Sequence, residues 1–174
     1  MPRYIALLRG INVGGKHAVP MAKLRALCES LDLTEVGTYI QSGNVVFAAN
    51  KAVTPAAFEK ALRSEFGFEI PVVLRTRTEL AKVVSGDPFK KVERSNVHVG
   101  FMAKKPAAAA LKQIDHERFL PEAVVVKGCE VYYHLPNGMG RAKLPLHVDR
   151  QLNVPTTVRN WNTVTKLLAL LHDR

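Results

Sequence analysis

Apolar residues in this chain switch between strand and helix spacing in one fixed order, and that order occurs twice. Ile5–Arg9 reads as a strand. Pro20, at a first helical turn where a missing N–H costs nothing, opens a helix with Leu24, Leu27, Cys28 and Leu31 at i, i+3, i+4, i+7. Val36–Ile40 and Val45–Ala48 flank Ser42-Gly43 as a hairpin. Thr54-Pro55 is an N-cap followed by proline, and Phe58, Leu62 and Phe66 line one side of the helix it starts. Ile70–Leu74 closes the half as a strand. The order β-α-β-β-α-β is that of a ferredoxin-like unit, in which the first and third strands are neighbours.

A short helix, Thr78–Ser85, ends at Gly86 with Asp87-Pro88 beyond it. The theme then returns. Val97–Ala103 reads as a strand and Pro106–His116 as a helix, and Val124–Lys127 with Glu130–His134 forms a second hairpin around Gly128. A helical segment near Leu146–Leu152 and a closing strand at Thr156–Arg159 follow. Asn160 or Asn162 caps a last helix carrying Val164, Leu167, Leu168 and Leu171. No helix alone hides enough apolar surface, so the two halves are expected to pack together. The predicted fold is α+β, two ferredoxin-like subdomains with mainly antiparallel sheets and helices on one side of each. The segments are 1–76, a connecting helix and linker at 77–94, and 95–174.

With 47% hydrophobic and 23% charged residues, the composition is that of a globular chain. No apolar run approaches the ~20 residues needed to span a bilayer, and the opening run Tyr4–Leu8 is too short for a signal peptide. A cytoplasmic protein is therefore expected, with no membrane partner. Cys28 and Cys129 lie far apart, without CxxC or zinc-ligand spacing, and Cys28 sits in an apolar helical stripe as a core residue. The formal net charge of +10 raises nucleic acid or another polyanion as a partner, although the basic residues form no block.

Four stretches are rich in glycine, amides and basic side chains and hold no carboxylate: Arg9–Pro20, Gln41–Asn44, Asn137–Leu144 and Thr156–Thr163. Freed backbone N–H groups beside Arg, Lys, Asn and Gln favour an anionic or polar ligand over a metal. In the first stretch the candidates are Arg9, Asn12, Gly14, Gly15 and Lys16, between a strand and a helix. The spacing is neither GxGxxG nor GxxxxGK[ST], and a tight turn with positive φ explains Gly14-Gly15 equally well. Gln41, Ser42 and Asn44 fit turn chemistry, yet Gln41 and Asn44 would present amides to a ligand held by the Arg9 loop. Arg141 and Lys143 follow a glycine-rich turn as an anion clamp or as solvated charge. Arg159, Asn160 and Asn162 exceed what a helix cap requires. With Trp161 beside them they read as a recognition surface, against which stands Trp161 as a buried anchor.

Several chemistries lack support. The loops contain no carboxylate pair for glycosidase or two-metal chemistry, and no HExxH or GxSxG motif occurs. No metal and no cofactor is expected. An RNA-binding RNP1 pattern also fails, because Val99-Gly100-Phe101-Met102 lacks its paired aromatics.

Tyr4–Lys16 (YIALLRGINVGGK), Thr38–Phe47 (TYIQSGNVVF), Arg141–Leu144 (RAKL) and Thr157–Leu167 (TVRNWNTVTKL) together resemble the signature blocks of the uncharacterised family catalogued as domain of unknown function 1697. The resemblance spans nearly the whole chain. It implies a bacterial cytosolic α+β protein of two ferredoxin-like subdomains and no established activity. The family's third block carries a serine before its lysine, where this chain has Ala142; a serine nucleophile there is not essential in this member.

The function expected from these residues is binding of a small phosphate- or carboxylate-bearing ligand in a basic, amide-rich cleft between the subdomains. Arg9, Lys16, Lys143 and Arg159 would supply charge and Asn12, Gln41, Asn44, Asn160 and Asn162 orienting hydrogen bonds. No general base stands out, so catalysis is left open. Nucleic-acid binding and a non-catalytic interaction module are the alternatives.

Overall fold

A computed structural model of the chain describes residues 1–39 and 43–172. By internal contact it divides into two units, Met1–Lys82 with the stretch from Lys166 onward, and Val83–Thr165.

The N-terminal unit runs β1 (Arg3–Leu8), α1 (Met21–Ser30), β2 (Thr34–Tyr39), β3 (Asn44–Ala48), α2 (Pro55–Phe66), β4 (Val72–Thr76) and the start of α3 (Arg77–Ser85). Its sheet is antiparallel in the order β2-β3-β1-β4, so the first and third strands are neighbours, with Leu7 opposite Asn44. Side chains alternate across the pleat. Ala6 and Leu8, Val45 and Phe47, and Val72 share one core with Leu24 and Cys28 of α1 and Phe58 and Leu62 of α2. Each large side chain buried there contributes about 1.5–3 kcal/mol. The stripe read from the sequence is therefore the packed face except for Leu31, which lies just past the end of α1 and is exposed; burial pushes the Cys28 thiol up to about 12, with Glu29 adding to the effect. Thr54 caps α2 by accepting from the Ala57 N–H at 3.2 Å, and Gly67 ends that helix at φ 82°. β4 begins two residues later than the apolar run Ile70–Leu74 predicts. Pro71 has no N–H to give, Ile70 turns into the core, and β1 supplies partners as far as Thr76.

The C-terminal unit repeats the order. It comprises β5 (Val97–Met102), α4 (Ala108–Leu111), β6 (Ala123–Lys127), β7 (Glu130–His134), α5 (Leu144–Leu152), β8 (Thr156–Asn160) and the start of α6 (Trp161–His172). The antiparallel order β6-β7-β5-β8 matches the first sheet strand for strand. Met102, Val124, Val131 and Tyr133 from the sheet meet Val148 and Leu152 of α5 in a second core. The helix expected at Pro106–His116 is only one turn long. The Asp115 N–H, which a continuing helix would direct to the carbonyl four residues back, donates instead to His147 Nε2 at 3.0 Å. By that point the helix is already over, since the Gln113 and Ile114 N–H groups donate to the Ala110 and Leu111 carbonyls three residues back.

No described helix is long and apolar enough to cross a membrane. No described cluster of three His, Cys, Asp or Glu stands ready for a metal.

Candidate functional site

The Arg9 loop is a small closed hairpin. The Lys16 N–H donates to the Val13 carbonyl at 3.0 Å around Gly14 (φ 58°) and Gly15 (φ 72°), and the Asn12 N–H donates to the His17 carbonyl at 3.1 Å. Two successive positive φ values need glycine, so the glycine pair is turn chemistry. Asn12 is a structural clamp: its Nδ2 donates to the Val19 carbonyl at 3.1 Å and its Oδ1 accepts from the Val19 N–H at 2.8 Å. Arg9 and Lys16 remain exposed, and His17 stacks on Phe68 with ring centroids 4.4 Å apart. Asn44, fully buried, donates from Nδ2 to the Tyr39 carbonyl at 2.8 Å and so holds the hairpin together. Gln41 and Ser42 lie outside the described residues.

In the C-terminal unit, Asn160 caps α6 through Oδ1, which accepts from the Thr163 N–H at 2.8 Å. Asn162 is exposed beside it. Trp161 is buried under the Arg94 guanidinium, 5.3 Å from the ring centre, and Arg94 is fixed by Asp87 at 2.6 Å and by the Phe89 carbonyl. The tryptophan is an anchor and not a displayed recognition surface. Arg159 pairs with Val99 across β5, on the sheet face of Tyr132 and Phe101, and its Nη1 donates to the Val158 carbonyl at 3.0 Å. Burial lowers its guanidinium to about 10, which leaves it charged at neutral pH.

Arg141 and Lys143 are exposed just ahead of α5. The acid-free character of this stretch ends in three dimensions. Glu122 Oε1 accepts from the Lys143 and Leu144 N–H groups at 3.0 and 2.9 Å, occupying the helix N-terminus that an anion would otherwise use. Lys143 also lines a cavity of about 270 Å³ together with Arg118, Phe119, Ala142, Leu146, His147 and Arg150. Phe119 holds the wall: the Arg118 guanidinium lies 5.1 Å from its ring centre and the His147 ring 4.9 Å away. His147 Nε2 accepts a backbone N–H, so its neutral form carries the proton on Nδ1, as a donor. Among the described residues, four nitrogen-bearing side chains and no carboxylate line this pocket.

Of the sequence candidates, Lys143 alone lines it. Its partners were legible in part, since Lys143, Leu146, His147 and Arg150 fall at i, i+3, i+4, i+7 along α5. Arg118 and Phe119 come from an irregular connection and only tertiary packing delivers them. Two larger described cavities, about 440 Å³ beside Leu31 and Phe58 and about 650 Å³ beside Arg3 and Arg77, contain none of the candidates.

A family model described as Protein of unknown function (DUF1697) matches residues 1–132. The chain belongs to this family. The match takes in the Arg9 loop, the Asn44 hairpin, Arg118 and Phe119, and stops short of Lys143. No curated protein matches. Among solved structures, the conserved bacterial protein SP0830 from Streptococcus pneumoniae is similar over 98% of each chain, with a TM-score of 0.75 and 22% identity. That likeness shows the shared fold.

Proposed function

We propose that this protein binds a small anionic ligand, phosphate- or carboxylate-bearing, in the pocket of the C-terminal unit to which Lys143 contributes. One observation carries the reading: Lys143, Arg118, Arg150 and His147 line a single cavity with no acid in its wall. Two nearby carboxylates are engaged with backbone, Glu122 at α5 and Asp115 with the Arg118 N–H at 3.1 Å. Charge-assisted hydrogen bonds contribute about 1.5–3 kcal/mol each. Three of the strongest, less at least about 4 kcal/mol for association, leave about 5 kcal/mol, a dissociation constant of roughly 0.2 mM.

The test is calorimetric titration with inorganic phosphate, small phosphate esters and small carboxylates at low ionic strength. Binding of at least one class, lost in Lys143→Ala and Arg150→Ala at unchanged melting temperature, supports the proposal. Binding by none, or binding indifferent to both substitutions, overturns it. The net charge of +10 favours a second reading, a nucleic-acid surface. That reading requires oligonucleotide affinity falling log-linearly with salt at a slope of several charges.

A further inference from the structure

We infer that the Lys143 pocket selects a phosphomonoester with a compact apolar or planar body over a carboxylate of the same body; this rests on the anion-binding reading above. The cavity joins two kinds of wall. On one side stand three permanent cations, Arg118, Lys143 and Arg150, with His147 as a further donor. A carboxylate offers one charge and two oxygens; a phosphomonoester offers nearly two charges and three terminal oxygens, and so engages more of these donors at once.

The other wall is apolar. Phe119 and Ala142 pack on the buried core of the unit. Leu146 lines the same cavity while 57% exposed, on a helix whose other leucines, Leu144 and Leu152, are buried. This leucine, beside a cationic rim, supplies the surface that an organic body would cover. At about 270 Å³ the cavity sits just below the usual range of ligand sites, a volume that suits a single phosphorylated ring.

The experiment compares three probes by calorimetry at pH 7.5: phenyl phosphate, benzoate and inorganic phosphate. Phenyl phosphate is expected to bind about tenfold more tightly than benzoate, the worth of one further charge-assisted hydrogen bond. It should also bind about fivefold more tightly than inorganic phosphate through its ring. Leu146→Ala should remove most of the gain over inorganic phosphate and leave inorganic phosphate itself unchanged. Lys143→Gln, at an exposed position, should weaken both phosphate probes. Equal affinity for phenyl phosphate and benzoate, both lost in Lys143→Gln, overturns the phosphate preference and leaves the anion site standing. A Leu146→Ala effect shared by both phosphate probes, or none on either, overturns the apolar wall. Failure of all three probes removes the site itself.

Discussion

At the residue scale, several side chains that look like ligand groups in the sequence are spent on the fold. Asn12 illustrates why. An amide beside glycines suits either an anion or a turn, and only the partner decides; here both ends of the amide close on Val19. Asn12→Ala strands a backbone N–H and carbonyl, and we expect a loss of about 2 kcal/mol in chemical denaturation, with anion binding at the Lys143 pocket untouched. His98 gives the opposite lesson, a polar group the loop motifs never touched. It is buried on β5 opposite Tyr133, its Nδ1 finds no hydrogen-bond partner among the described residues, and burial lowers its pKa below the usual 6.5. The sign follows: the unfolded chain takes up the proton first as pH falls, so titration of His98 weakens the fold progressively below about 6.5 and adds no pH dependence above it. Stability measured from pH 7.5 to 5 should fall, and His98→Leu should flatten that part of the slope. An unchanged slope would remove His98 as the cause.

At the element scale, the helix ends were readable where a cap lies next to its helix and unreadable where it does not. Thr54 and Asn160 cap α2 and α6 from the adjacent position, and the sequence names Thr54 outright and Asn160 as one of two choices. Glu122 caps α5 from more than twenty residues away, across β6 and β7. Glu122→Ala should therefore cost about 1 kcal/mol, close to the value for Asn160→Ala, although only the second is visible from local chemistry. Paired thermal melts of the two variants check this; a negligible effect for Glu122→Ala would show that water replaces the carboxylate without loss. The shortened α4 closes on bonds reaching three residues back, from Gln113 to Ala110 and from Ile114 to Leu111, before the Asp115 N–H meets His147.

At the scale of the whole molecule, 25 basic against 15 acidic residues leave a surplus of positive charge that no pairing with acids within the chain can cancel. Self-repulsion of that surplus opposes compaction and is screened with a Debye length of about 10 Å at 0.1 M salt. The melting temperature should rise between 10 and about 150 mM sodium chloride, and a flat or falling response would show the charges already balanced locally. The repeated order of elements, the two antiparallel sheets and the apolar stripes of α1 and α2 were all written in periodicity, because each depends on spacing along a few neighbouring residues. The basic pocket was so only in part, through the spacing of Lys143, Leu146, His147 and Arg150. It needs one face of α5 and an irregular connection brought together by a core, with a remote carboxylate on the helix end. Proximity between residues far apart in sequence is created by packing, and a pattern along the chain carries no record of it.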